Sequence, residues 1–218
     1  MPLCFYKRRV IMPNWCYTSY VVTGEEKEVR DLYEKMRSLE EREQSLVENG
    51  FGKTWLGNLV VLLGEDWKNI RCRGWWENLN KDCGDGALRL NVMSAWCEMA
   101  EFRRFICGKY PSLEVYFVSE EPGMGIYETN DADGEYFPAR YYFARPDDCE
   151  PYEYEEEELE EFLRDVGDLL GKRLSSAQEA VDAVRAFNSQ RNKIEELAEI
   201  KVYKVVTDRS GCTGGRQP

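Results

Sequence analysis

Residues 88–117 read LRLNVMSAWCEMAEFRRFICGKYPSLEVYF, and this stretch decides the fold. Leu88, Leu90 and Val92 alternate with Arg89, Asn91 and Met93, the two-residue period of a strand with one buried face. Over residues 98–109 the spacing changes. Met99, Phe102, Phe105 and Ile106 recur at three- and four-residue steps, which places them on one side of a helix. Pro111 stops that helix because it lacks an N–H and restricts the residue before it. Leu113, Val115 and Phe117 then resume strand spacing.

Towards the N-terminus, residues 16–23 (CYTSYVVT) are β-rich and end at Gly24. Residues 25–48 carry Val29, Leu32, Tyr33, Met36 and Leu39 on a helical stripe, with Asn49-Gly50 as the stop signal. Residues 56–63 (LGNLVVLL) are short and apolar and read as a buried helical turn, although periodicity does not separate that from a strand. Residues 70–76 read as the second strand. The order strand, helix, strand, strand, helix, strand makes this an α+β chain, with the split βαβ pattern of a ferredoxin-like sandwich. Two Tyr-rich runs at 125–129 and 136–145, joined by NDADGE, predict a β-hairpin that extends the sheet.

Composition shifts at Pro146. Residues 147–161 hold ten carboxylates and no base, and Leu159, Phe162, Leu163, Val166, Leu169 and Leu170 form a stripe that closes at Gly171. The run therefore reads as the N-terminal part of an amphipathic helix, where carboxylates suit the macrodipole. Ser176-Ala177-Gln178-Glu179 has the form of a capping box opening another helix, and residues 200–206 read as a late strand. The expected organisation is a ferredoxin-like body at 12–145, an acidic helical addition at 146–207 packed on it, and a loose polar tail at 208–218.

Four pieces carry a family pattern: Met12-Pro13-Asn14-Trp15-Cys16, Ser94-Ala95-Trp96, Tyr110-Pro111-Ser112-Leu113 and Glu121-Pro122-Gly123. In this order they resemble the YubB ferredoxin-like family of plasmid- and phage-borne proteins, over roughly residues 12–130; the combined order is far more specific than any single piece. The chain departs from the family pattern after Trp96, where Cys97-Glu98-Met99 contains no proline. The resemblance implies a fold and a mobile-element origin but no activity. It also implies a start at Met12, with residues 1–11 an extension; the other reading makes them a basic arm with Lys7, Arg8 and Arg9.

The 218 residues include 29 Lys and Arg against 41 Asp and Glu, 8 Cys and no His, for a formal charge of −12. Without histidine, Ser-His-Asp and Cys-His nucleophile systems and His-containing zinc sites are excluded. No two cysteines have metal-ribbon or thioredoxin spacing, and no apolar run resembles a signal peptide or a membrane span. Reduced thiols in a cytoplasmic protein, with no cofactor and no metal, are the expectation. Residues 147–218 hold 10 bases and 18 acids, so −8 of the −12 lies in the last third. An acidic chain is a poor generic ligand for nucleic acid, and no direct nucleic-acid binding is expected.

In a split βαβ sheet the ends of the third and fourth strands meet the beginnings of the first and second. Asn14, Trp15, Arg71, Arg73, Trp96, Glu121 and Gly123 should therefore converge at one end, with the aromatic walls, carboxylate and guanidinium groups of a ligand site. The competing reading makes the tryptophans a core lid, Glu121 a partner of Arg71, Arg73 or backbone N–H groups, and Gly123 a positive-φ turn residue. Glu155, Glu156, Glu157 and Glu158 are the candidate partner-binding residues. Gly52-Lys53-Thr54 lacks the first glycine of a phosphate loop, and Asp131-Ala132-Asp133-Gly134 lacks the closing Glu of a calcium loop. No catalytic constellation is present. The leading expectation is thus a non-enzymatic module for a protein partner; an acidic, nucleic-acid-mimicking decoy of a host protein or a small-molecule-binding domain are the alternatives.

Overall fold

The computed structural model describes residues 14–81, 86–146, 155–156 and 158–207. The body runs β1 (Trp15–Thr23), α1 (Glu26–Glu40), α2 (Leu56–Leu62), β2 (Gly74–Asn80), β3 (Leu88–Ala95), α3 (Ala100–Lys109), β4 (Glu114–Glu121) and β5 (Ile126–Thr129). There follow β6 (Tyr141–Ala144), β7 (Glu155–Glu156), α4 (Leu159–Leu170), α5 (Ala177–Ser189), β8 (Glu199–Val202) and β9 (Lys204–Val205). The chain is α+β. Its main sheet has the order β2-β3-β1-β4-β5-β9, antiparallel except for the parallel β5–β9 pair, and a second sheet has the order β7-β6-β8.

Register sorts the side chains onto two faces. Tyr20 pairs with Leu90 and Phe117, and Val22 with Leu88 and Val115. This phase faces the helices: Val29, Leu32, Met36 and Leu39 of α1, Leu56, Leu59 and Val60 of α2, and Phe102 and Ile106 of α3 share its core. A second core unites Phe143 with Phe162, Val166, Leu174, Ala180, Val184 and Ala198, and Tyr141 stacks on Phe162 with centroids 4.8 Å apart. β6 precedes the composition shift at Pro146 but pairs with strands that follow it.

Several expectations need correction. The hairpin extension is made by β4 and β5 around residues 122–125, not by the two Tyr-rich runs: β5 pairs with β4, and β6 lies in the second sheet. The reason lies in NDADGE. The buried Asp131 carboxylate accepts N–H groups of Glu135, Tyr136 and Phe137, and the Arg140 guanidinium donates to the Asp131 and Phe137 carbonyls. That bonding coils the segment into a loop instead of a two-residue turn. α1 ends at Glu40 instead of residue 48, where Lys53 Nζ donates to the Glu40 carbonyl and Asn58 Oδ1 accepts from Val47 N–H. β2 begins at Gly74, four residues late: the segment after a short 3-10 turn at Trp67–Asn69, capped by Asp66, gives its Arg71 N–H to the Glu101 carboxylate instead of to a neighbouring strand. Only the end of the acidic run enters a helix: α4 starts at Leu159, with Glu160 and Glu161 in its first turn, while Glu155 and Glu156 lie in β7. The expected box at Ser176 is half formed: Ser176 Oγ accepts from Glu179 N–H, while the Glu179 carboxylate turns to Ser175.

Candidate functional site

β1 opens at Trp15, β3 closes at Ala95 and β4 at Glu121, so the strand ends do bring Asn14, Trp15, Trp96, Glu121 and Gly123 to one end of the sheet. Trp96 N–H donates to the Asn14 carbonyl at 2.9 Å, and Ala95 N–H to the Arg73 carbonyl at 3.0 Å. Trp96 adopts φ 75°, a conformation unusual for a bulky side chain, which turns the chain out of β3 at this point.

Glu121 is committed to its own turn. Its side chain is 1% exposed, and its two oxygens accept from Gly123 N–H at 2.9 Å and Met124 N–H at 2.7 Å. Among the described residues it pairs with neither Arg71 nor Arg73. A Cβ on Gly123 would stand 2.6 Å from Asn14 Nδ2 and 2.8 Å from Glu121 Oε1. Glycine is therefore required for space, because the Asn14 amide and Glu121 carboxylate close over it; the positive φ of this turn belongs to Gly125, at 66°. Behind Glu121, burial pushes the Cys16 thiol up to about 11, with Glu98 and Glu121 adding to the effect.

Arg73 joins this end through its carbonyl, and Arg71 and Arg73 also line a groove of about 330 Å³ with Phe51, Trp55, Trp67 and Lys68, in the chain that precedes β2. Arg71 N–H donates to the Glu101 carboxylate at 2.9 Å. Of the acidic candidates, Glu155 and Glu156 form β7, Glu158 is the exposed residue before α4 and makes no capping bond, and Glu157 lies outside the described residues. Met12 and the first eleven residues also lie outside them, as does the tail from 208.

Sequence reasoning missed two arrangements. One is a buried ion pair: Arg103 Nε donates to Glu98 Oε1 at 3.0 Å, and Tyr20 Oη donates to the same oxygen at 2.7 Å. The Arg103 guanidinium also lies 4.9 Å from the Phe117 ring centroid. Burial, reinforced by Glu98, holds the Tyr20 hydroxyl well above its ordinary pKa. The adjoining void of about 30 Å³, lined by Tyr20, Leu32, Met36 and Phe102, has room for a water molecule but no ligand.

The other is the sheet face opposite the helices. Trp75, Met93, Tyr17, Glu120 and Tyr127 form one row across five strands. The β4–β5 half of the row is covered: Lys201 Nζ bonds Glu120 at 2.9 Å, Tyr203 Oη bonds the same carboxylate, and Tyr203 packs edge-on against Tyr127. In the other half Tyr17 is 41% exposed, and Trp15, Trp75 and Met93 are half-buried. Trp15 meets Trp75 edge-on at 5.1 Å, and Phe51 stacks on Trp75 at 5.9 Å. The one-in-two spacing of Trp15 and Tyr17 was visible in the sequence, but nothing there told which half would be covered.

Comparisons with protein-family models, with curated proteins and with solved structures return no match to this chain. Among the described residues no helix is long and apolar enough to cross a membrane, and no group of three or more Cys, Asp or Glu side chains gathers as a metal site.

Proposed function

We propose that this chain is a non-enzymatic binding module that presents the open half of its sheet face to a protein partner of net positive charge. The observation that carries this reading is the half-covered row Trp75–Met93–Tyr17–Glu120–Tyr127. A contiguous aromatic and apolar patch on one side of a sheet is typical of protein interaction surfaces. The formal charge of −12 favours a basic protein over a polyanion.

The same reading makes the body a ferredoxin-like sandwich of the YubB kind, from a mobile element and resident in the cytoplasm. The order β2-β3-β1-β4, with α1 and α3 packed on one face, supports the fold assignment. The decoy reading has less support, because Arg164 sits between Glu161 and Asp165, at 3.8 and 3.3 Å, and interrupts the row of negative charge on α4.

Capture from native cells with the full chain and with Tyr17→Ser tests the proposal. A basic protein retained by the wild type and lost with Tyr17→Ser is expected; equal recovery by both contradicts it. Cutting the chain after Arg145 is a poorer test, since it removes Lys201 and Tyr203 and uncovers the other half of the face.

A further inference from the structure

Asn49-Gly50, the only Asn-Gly pair in the chain, does not end α1, which stops at Glu40. It lies instead in a loop held together by two asparagine side chains. Asn49 Oδ1 accepts from Phe51 N–H at 2.6 Å, and Asn49 Nδ2 donates to the Val47 carbonyl at 2.7 Å and the Gly52 carbonyl at 3.3 Å. Asn58 Nδ2 donates to the Gly52 and Lys53 carbonyls. The bond from Phe51 N–H closes an Asx-turn, in which the side-chain amide folds back over the next peptide. That peptide belongs to Gly50, whose N–H donates to no protein acceptor among the described residues. Gly50 is exposed, and a Cβ added to it would meet nothing within 4 Å. An unbonded backbone nitrogen beside an amide carbon held in place is the arrangement of an intramolecular acyl transfer, where fixed proximity replaces a bimolecular encounter. Phe51 N–H, already on Oδ1, stabilises the negative charge that develops on that oxygen.

We infer that Asn49-Gly50 is a self-modifying site whose co-reactant is water, and that its reaction releases Phe51 from the sheet face. Hydroxide takes the Gly50 N–H proton, and the nitrogen attacks Asn49 Cγ. The Cγ–Nδ2 bond breaks and ammonia leaves with a proton from water, giving a cyclic succinimide. Water then adds to either imide carbonyl and breaks its bond to nitrogen. Opening at Cγ gives aspartate; opening at the backbone carbonyl gives isoaspartate, which adds an atom to the main chain. The net change is one water gained and one ammonia lost. Both products disturb the seat of Phe51. Aspartate puts a carboxylate oxygen where Nδ2 met the Val47 carbonyl at 2.7 Å, so two acceptors face each other in place of a bond. Isoaspartate displaces Phe51 along the chain. The Phe51 ring stacks on Trp75 at the open half of the face, with centroids 5.9 Å apart, and loses that place. The inference stands independently of the protein partner.

The test incubates the ¹⁵N-labelled full chain at neutral and at mildly alkaline pH. Peptide mapping measures aspartate and isoaspartate at each asparagine, and the Trp75 indole N–H resonance, assigned with Trp75→Phe, is followed in parallel. Both products should accumulate at position 49 of the folded chain, at a rate that rises with hydroxide, while the other asparagines stay intact. The Trp75 resonance should move in step with the conversion. Gly50→Ala, at a position with room for the methyl group, should keep the Phe51–Trp75 stack and slow the conversion several-fold. Asn49→Asp should shift the Trp75 resonance from the outset. The inference is overturned if Asn49 stays intact in the folded chain under conditions that convert it in urea, if Gly50→Ala converts as fast as the wild type, or if the Trp75 resonance is the same before and after conversion.

Discussion

Tyr17 and Glu120 stand opposite each other on the β1–β4 ladder, and the border between the open and covered halves of the sheet face runs between them. Tyr17 is exposed, whereas Glu120 is gripped by Lys201 and Tyr203. The chain after residue 140 thus closes one half of the face and leaves the aromatic half open.

Lys201 should hold that border. Burial alone would lower its pKa, but Glu120, by hydrogen bond and charge, and Glu199 raise it above the ordinary lysine value. The stabilisation is therefore fully present below about pH 10.4 and is lost as pH rises through the higher folded-state value. Lys201→Met should cost about 1–3 kcal/mol and speed amide exchange in β8 and β9 while leaving β1 and β3 protected. The urea midpoint of the wild type should fall towards that of the variant above the lysine range.

Removing one partner of the Glu98–Arg103 pair should be among the most damaging changes in the body. The two side chains are each 6% exposed, and breaking a buried pair costs about 3–5 kcal/mol. Glu98→Gln or Arg103→Met should lower the thermal midpoint by about 10 °C or more. The double change Glu98→Leu/Arg103→Met should be milder than either single one, because it leaves no uncompensated buried charge.

Asp131 governs acid stability of the loop between β5 and β6. Burial would raise its pKa, but the N–H groups of Tyr136, Phe137 and Glu135 and the Arg140 charge hold it below the ordinary carboxylate range. Its contribution is present above about pH 3.9 and is lost as pH falls through the lower folded value. Asp131→Asn places an N–H donor against those N–H groups and should lower the urea midpoint at pH 7. The gap between variant and wild type should narrow as pH falls below the ordinary carboxylate range.

The thiols offer a further check. Burial pushes Cys16 and Cys72 each to about 11, with Glu101 adding to the effect at Cys72. Both should resist alkylation at pH 8 in the folded chain and react at ordinary rates in denaturant. Peptide mapping after timed iodoacetamide labelling measures this.

The legible parts of the fold were those governed by neighbouring residues. The alternation of Leu88, Leu90 and Val92 and the stripe from Met99 to Ile106 placed β3 and α3 correctly to within two residues at each end. Boundaries set by distant partners were not legible. α1 stops at Glu40 because Lys53 and Asn58 organise the next segment, and β2 starts at Gly74 where a Cβ would strike the Met93 carbonyl at 2.5 Å. The meeting of Asn14, Trp15, Trp96 and Glu121 followed from topology alone. That Glu121 is spent on its own turn, and that Trp55 and Trp67 flank a groove with Arg71 and Arg73, depends on side-chain directions that residue spacing does not encode.

The central claim, that the Tyr17 side of the sheet is the working surface, is tested most directly by site-specific photocrosslinking. p-Benzoylphenylalanine replaces Tyr17 on the open face in one chain and Leu62, exposed on α2, in another, and both are irradiated in native cells. The account predicts a discrete, basic crosslinked protein from position 17 that is absent from position 62. Identical adducts from both positions, or adducts to nucleic acid from position 17, would contradict it.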